Sequence, residues 1–212
     1  MAAVLEAFTF PGPVGPLEAL WKPSEGRAVG SAVFAHPHPM HGGTLHSKVV
    51  YRSAKALTRA GYGTLRFNFR GVGLSAGRFD DGEGEVLDFR SAQQEAERRG
   101  GLPQVAGGFS FGSAVALQAI AGDARVAAYV GVGLPLATAS ARHLPLPRVP
   151  ALFVVGENDR FGPPEELREF VGDSGEVVEI PAADHFLEGK LPLLEQTILR
   201  FLADLPAAIR LP

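Results

Sequence analysis

The sequence predicts an α/β protein: a sheet of eight strands with helices on both faces, in one domain over residues 1–212. Three observations lead there. Apolar, β-rich runs alternate with helical patterns from end to end. Several runs, 126–132 and 151–155 among them, are continuously apolar, as strands buried on both faces are. Gly- and Pro-rich stretches fall between the runs, where turns are needed.

The elements follow in order. Strands are expected at residues 4–10, at 17–22 after a Gly/Pro turn, and at 28–35. Residues 45–60 have helical spacing and are closed by Gly61. A strand over 63–69 leads into RGVGLSAGRFDDGEG, too rich in glycine to be regular. A helix over 85–99 stops at Gly100 and Gly101, and a strand over 104–109 runs into a helix over 111–121. Beyond strands 126–132 and 151–155 come a short helix at 165–171, a last strand at 177–180 and a terminal helix at 191–205.

Composition narrows the function classes. A chain of 212 residues with 46% apolar and 20% charged residues can bury a substantial core. A net charge of −3 and no basic run give no reason to expect nucleic acid or an anionic membrane as partner. With no cysteine there is no disulfide framework, thiol nucleophile or thiolate metal site. The opening MAAVLEAFTFPGPVG lacks a basic n-region and reads as a strand rather than a leader, and no apolar run reaches spanning length. A cytoplasmic protein is expected. The apolar C-terminus LPAAIRLP and the oligomeric state receive no assignment.

The chemistry centres on GGFSFGS, where Ser110 occupies the middle of G-x-S-x-G between a strand and a helix. In a nucleophile elbow the chain turns so sharply that small residues are needed two positions to either side, which Gly108 and Gly112 supply. The motif alone is weak, since 26 glycines and ten serines would give about 0.15 matches by chance. A serine also needs a base, and the base a carboxylate. His185 lies after the last strand and Asp159 after the one before it, both in the loops where such a sheet binds ligands. No Asp or Glu occurs from 126 to 156, so an acid after the sixth strand is excluded. Glu157 and Asp184 remain as rivals to Asp159.

An acyl-transfer site also needs donors for the developing oxyanion. The Phe111 N–H at the start of the elbow helix is one. The other should come from AHPHPMHGG, where Pro37 and Pro39 have no N–H, so that His38 is best placed and Met40 is held in reserve. A metal site from His36, His38, His41 and His46 is the competing reading; it lacks any carboxylate or thiolate, and no metal is expected. Gly71, Gly73 and Gly77 space as GxGxxxG without a helix opening on them, which argues for a structural loop over a phosphate cradle. Met40, Phe161 and Phe186 are candidate pocket residues, with Phe79, Phe111 and Leu134 as further options.

Taken together, AHPHPMHGG, RFNFRGVGLSAG, GEGEVLDF, GGFSFGSAVAL, GENDRF and ADHFLEGKL resemble the α/β-hydrolase superfamily over nearly the whole chain, and within it the small capless bacterial serine hydrolases related to dienelactone hydrolase. The resemblance implies the α/β-hydrolase fold, a twisted, mostly parallel eight-strand sheet, with a triad of Ser110, Asp159 and His185 and oxyanion donors at Phe111 and His38; the roughly twenty residues between the sixth and seventh strands, where many relatives insert a cap domain, are too few for one, so no cap domain is expected. Dienelactone hydrolase itself uses a cysteine nucleophile, which this chain lacks. The expected activity is a carboxylesterase-type serine hydrolase acting on small or short-chain acyl esters, with no cofactor and a small-molecule ester as partner. The alternatives are an acyltransferase or peptidase with the same triad, and a non-catalytic binding protein on the same fold.

Overall fold

The computed structural model describes residues 4–137 and 143–206. Residues 1–3, 138–142 and 207–212, which include part of the short sixth-to-seventh strand connection and of the apolar C-terminal stretch, lie outside that description. Eight strands form one sheet: β1 (Glu6–Gly12), β2 (Gly15–Lys22), β3 (Gly30–Ala35), β4 (Tyr62–Phe67), β5 (Gln104–Phe109), β6 (Val126–Val132), β7 (Ala151–Gly156) and β8 (Glu176–Ile180). Their order is β1-β2-β4-β3-β5-β6-β7-β8. Strand β2 is antiparallel to β1 and β4, and every pairing from β4 to β8 is parallel.

Among the described residues five α-helices cover the sheet: α1 (Lys48–Arg59), α2 (Glu83–Gly100), α3 (Phe111–Ala119), α4 (Pro164–Val171) and α5 (Leu191–Asp204). The strand period of two divides the core between the faces. On β7, Leu152 and Val154 join Leu57 of α1 and Ile198 of α5, while Phe153 and Val155 join Ala92 of α2, Ala116 of α3 and Leu167 of α4. Among the described residues no helix is long and apolar enough to cross a membrane.

Most element boundaries shift from expectation by one or two residues, and two of the shifts share one reason. Helix α1 starts three residues late because the Leu45 N–H donates to Asn68 Oδ1 (2.9 Å) and Arg66 donates to the Leu45 carbonyl (2.8 Å), tying that segment to the end of β4. Strand β4 stops at Phe67 because the Phe69 N–H turns to His36 Nε2 (3.0 Å). In both places a side chain captured a backbone group that a helix or strand would have used.

The sheet order also fixes where a ligand can sit. Strand β3 lies between β4 and β5, and the chain leaving β3 passes to one face as the chain leaving β5 passes to the other. Diverging connections open a crevice at the carboxyl ends of the two strands.

Candidate active site

Ser110 is the single residue between β5 and α3, with φ 54° and ψ −122°. That is a sparsely populated conformation for a residue with a Cβ, held here by its surroundings. A Cβ on Gly108 would lie 2.3 Å from the Gly112 carbonyl carbon, and one on Gly112 would lie 2.4 Å from the His36 carbonyl oxygen. The two glycines therefore let strand, turn and helix pass at backbone contact. The Ser110 N–H donates to the Val132 carbonyl of β6 (2.8 Å), while its own carbonyl accepts from the Ser113 N–H and hydroxyl. Only the hydroxyl is left to project.

That hydroxyl lies 2.9 Å from His185 Nε2, and His185 Nδ1 lies 2.7 Å from Asp159 Oδ2. Asp159 and His185 are both buried. The second oxygen, Asp159 Oδ1, accepts from the Phe161 N–H (2.9 Å), so the carboxylate cannot rotate away from the imidazole without losing a bond. Phe109 and Phe161 pack their rings 5.0 and 4.6 Å from the His185 ring. A Cβ on Gly133, at φ 56°, would come within 3.0 Å of the imidazole, which explains a glycine just after β6.

The rival carboxylates have other partners. Glu157 Oε2 accepts from the Ala182 N–H (2.6 Å), bracing the loop after β8. Asp184 Oδ1 accepts from the N–H groups of Phe186 and Glu188, capping the turn that begins at His185.

The loop after β3 is organised by its histidines, each in a different way. His36 is fully buried; its Nε2 accepts the Phe69 N–H, which leaves the ring proton on Nδ1, 2.7 Å from the Pro37 carbonyl. The trans peptide is planar, so anchoring the Pro37 carbonyl to the buried ring makes the His38 N–H of the same unit point away from that ring. A Cβ on Gly43 would lie 2.0 Å from that carbonyl oxygen. Neither the His38 N–H nor the Phe111 N–H has a hydrogen-bond partner among the described residues, whereas the Met40 N–H is taken by His38 Nδ1 (3.2 Å). The donor held in reserve is thus occupied. No group of three or more His, Asp or Glu side chains among the described residues is arranged to hold a metal ion.

Burial pushes the His36 imidazole down to about 4 from its usual 6.5, against the opposing pull of the Pro37 carbonyl. An unfolded chain takes up this proton near pH 6.5 and the folded one does not. Stability is therefore complete above 6.5 and is lost as pH falls toward 4, by about 3 kcal/mol for this group. Urea midpoints across that interval should fall accordingly, and ¹⁵N NMR should show the ring neutral down to about pH 4. A His36 ring titrating near 6.5 in the native protein would contradict the buried, neutral assignment.

A second loop, between β4 and α2, packs against the first. Asp88 of α2, fully buried, holds Arg70 through two side-chain bonds of 3.0 and 2.8 Å and accepts its N–H at 3.0 Å. From that anchor the loop carries Phe79 to within 4.9 Å of the His38 ring. Gly71, Gly73 and Gly77 have φ of 75°, 56° and 84°, and Glu18 ties the loop to β2 through the Leu74 N–H. They are turn glycines.

The triad opens into a cleft of about 600 Å³. Ser110 and His185 form part of its lining, His38 and His41 stand on one side, and Phe161 and Phe186 stand on another. Met40 does not belong to the lining, contrary to expectation: its amide is drawn to the His38 ring and the residue is 69% exposed. Leu134 is buried in the core, and Phe79 and Phe111 pack on His38 outside the cleft. Sequence reasoning missed Val49 and Leu191, which line the cleft at the start of α1 and α5. As apolar residues at helical spacing they read as core, and only the pairing of the two helices on one face brings them here.

A family model described as an alpha/beta hydrolase domain matches residues 30–192. The chain is 30% identical, over 207 aligned positions that cover 91% of this chain and 87% of the other, to an uncharacterized protein of Rickettsia prowazekii. Among solved structures it is similar to an alpha-beta serine hydrolase homologue from Coxiella burnetii, with 36% identity over 92% of this chain and 96% of that one and a TM-score of 0.86. It is similar also to a serine hydrolase without a lid from Xanthomonas campestris, with 30% identity over 94% of each chain and a TM-score of 0.86. These likenesses support a capless alpha/beta hydrolase, and the link to dienelactone hydrolase is not confirmed by them.

Proposed function

The chain belongs to the alpha/beta hydrolase family, and from that premise we propose that it is a serine hydrolase cleaving small or short-chain acyl esters through an acyl-serine intermediate. The observation that carries this reading is the unbroken chain of contacts from Ser110 Oγ to His185 Nε2 and from His185 Nδ1 to Asp159 Oδ2. Nδ1 faces a carboxylate, so the neutral ring keeps its proton there and leaves Nε2 to accept.

Ser110 Oγ attacks the ester carbonyl carbon as its proton passes to His185 Nε2. The imidazolium is stabilised by Asp159, and the tetrahedral oxyanion accepts from the Phe111 and His38 N–H groups. The carbon–oxygen bond to the alcohol then breaks, with the proton on Nε2 going to the leaving oxygen. Water, deprotonated by the same nitrogen, attacks the acyl carbon; the carbon–Oγ bond then breaks, the proton on Nε2 returns to Ser110 Oγ, and the acid is released.

Substrate size follows from the cleft. Phe161 and Phe186, 52% and 60% exposed, present apolar surface at its lining, and only residues 133–150 separate β6 from β7 where a lid would be inserted. Such a site buries a short acyl chain and leaves the end of a long one in water. The test has two parts. A fluorophosphonate should label the protein once, at Ser110, and kcat/KM on p-nitrophenyl esters should be at least about tenfold higher for acetate or butyrate than for dodecanoate. Absence of labelling overturns the serine-hydrolase reading, and a preference for dodecanoate overturns the short-chain one.

A further inference from the structure

We infer that the His38 side chain is a positioning residue of the reaction: by capping the turn at 39–41 through its ring nitrogen, it holds its own backbone N–H in place as an oxyanion donor. The inference deepens the function proposed above and depends on that reading of the His38 N–H.

His38 stands at the N-cap of a 3₁₀ turn, Pro39–His41, with φ −51° and ψ 122°, and its Nδ1 accepts the Met40 N–H (3.2 Å). The cap is a role ordinarily taken by Asn, Asp, Ser or Thr, whose acceptor sits at the same short reach from the backbone. Its carbonyl accepts from the N–H groups of His41 and Gly43, both at 3.1 Å. Ring and carbonyl are therefore committed to the loop, and of its backbone groups the N–H is left without a partner among the described residues. The ring itself is wedged between His41 at 4.5 Å, Phe79 at 4.9 Å and Phe111 at 5.0 Å. Phe111 is the residue whose own N–H is the other oxyanion donor, so this ring contact couples the segments that carry the two donors.

The cap needs a neutral imidazole with its proton on Nε2, because a protonated ring would present N–H to N–H. Burial first, and then the charge of His41, lower the His38 pKa, with Asp81 opposing, so the accepting form is favoured at neutral pH. Removal of the cap leaves this segment held by the Pro37 and His38 carbonyls alone, without the ring that fixes the start of the turn. A donor misplaced by a fraction of an ångström loses strength in the transition state more than in the ground state.

Three variants separate this role from mere packing. His38→Asn keeps an acceptor at the δ position, His38→Phe keeps the aromatic packing without the acceptor, and His38→Ala removes both. On p-nitrophenyl acetate, His38→Phe and His38→Ala should lower kcat by about tenfold or more, short of the 10²–10³ expected for complete loss of a donor, with KM held within about twofold. His38→Asn should restore kcat to within about threefold of the parent. If His38→Ala does not fold, the Asn and Phe pair still decides. Equal kcat in those two, or a loss confined to KM, overturns the inference. A parent protein that neither turns over ester nor takes up fluorophosphonate instead overturns the serine-hydrolase reading beneath it.

Discussion

Replacing Ser110 by alanine is expected to lower kcat on p-nitrophenyl acetate by about 10⁶-fold and to abolish fluorophosphonate labelling. The hydroxyl is the only Ser110 group not committed to the fold: its N–H is bound to Val132 and its carbonyl to Ser113. Alanine bears the same Cβ at φ 54° and so inherits the same backbone strain, no more and no less. Folding should therefore be unchanged within about 1 kcal/mol, and the loss will be of chemistry. Urea unfolding alongside the rate measurement checks both halves. Retention of kcat within about tenfold of the parent would remove Ser110 as nucleophile.

Asp159→Asn should cost about 10⁴-fold in kcat with little change in KM. The carboxylate does two things that an amide cannot do together. It accepts from His185 Nδ1–H through one oxygen while the other accepts the Phe161 N–H. An asparagine that keeps its oxygen toward Phe161 turns an NH₂ toward Nδ1, which favours the tautomer with the proton on Nε2 and blocks removal of the serine proton. Glu157→Gln and Asp184→Asn are expected to stay within about threefold of the parent, because an amide oxygen can still accept from Ala182, or from Phe186 and Glu188. A large loss in either of those, with Asp159→Asn active, would reassign the acid.

The sheet was legible in the sequence because each strand carries its own signal. Leu152 to Val155 are apolar without interruption, and their side chains alternate between two buried faces. Helix α1 was legible in its body and not at its start, since the bonds that hold Leu45 come from Arg66 and Asn68, more than twenty residues on. The elbow could be read because its demand is local: two glycines, one serine, and a strand and helix that nearly touch. The cleft could not. Met40 was expected in its lining and points to solvent, while Val49 and Leu191 line it from helix starts that no short window distinguishes from core.

The division is sharpest in the triad. From the sequence came Ser110 and His185 as candidate nucleophile and base, the order Ser, Asp, His, and Asp159 as the expected acid, with Glu157 and Asp184 as rivals. The folded chain supplies the distances that separate the three. Asp159 meets His185 across 26 residues of chain and His185 meets Ser110 across 75, at distances under 3 Å, while Glu157 is held by the Ala182 N–H across 25 residues and Asp184, although adjacent to His185 in sequence, by the Phe186 and Glu188 N–H groups. The same holds for the oxyanion loop: two prolines in the sequence narrowed the donor to His38 or Met40, and the folded loop occupied the Met40 amide. Periodicity and turn chemistry act over a few residues and can be read from them. A hydrogen bond is decided by tenths of an ångström between distant segments, and those exist only once the chain has folded.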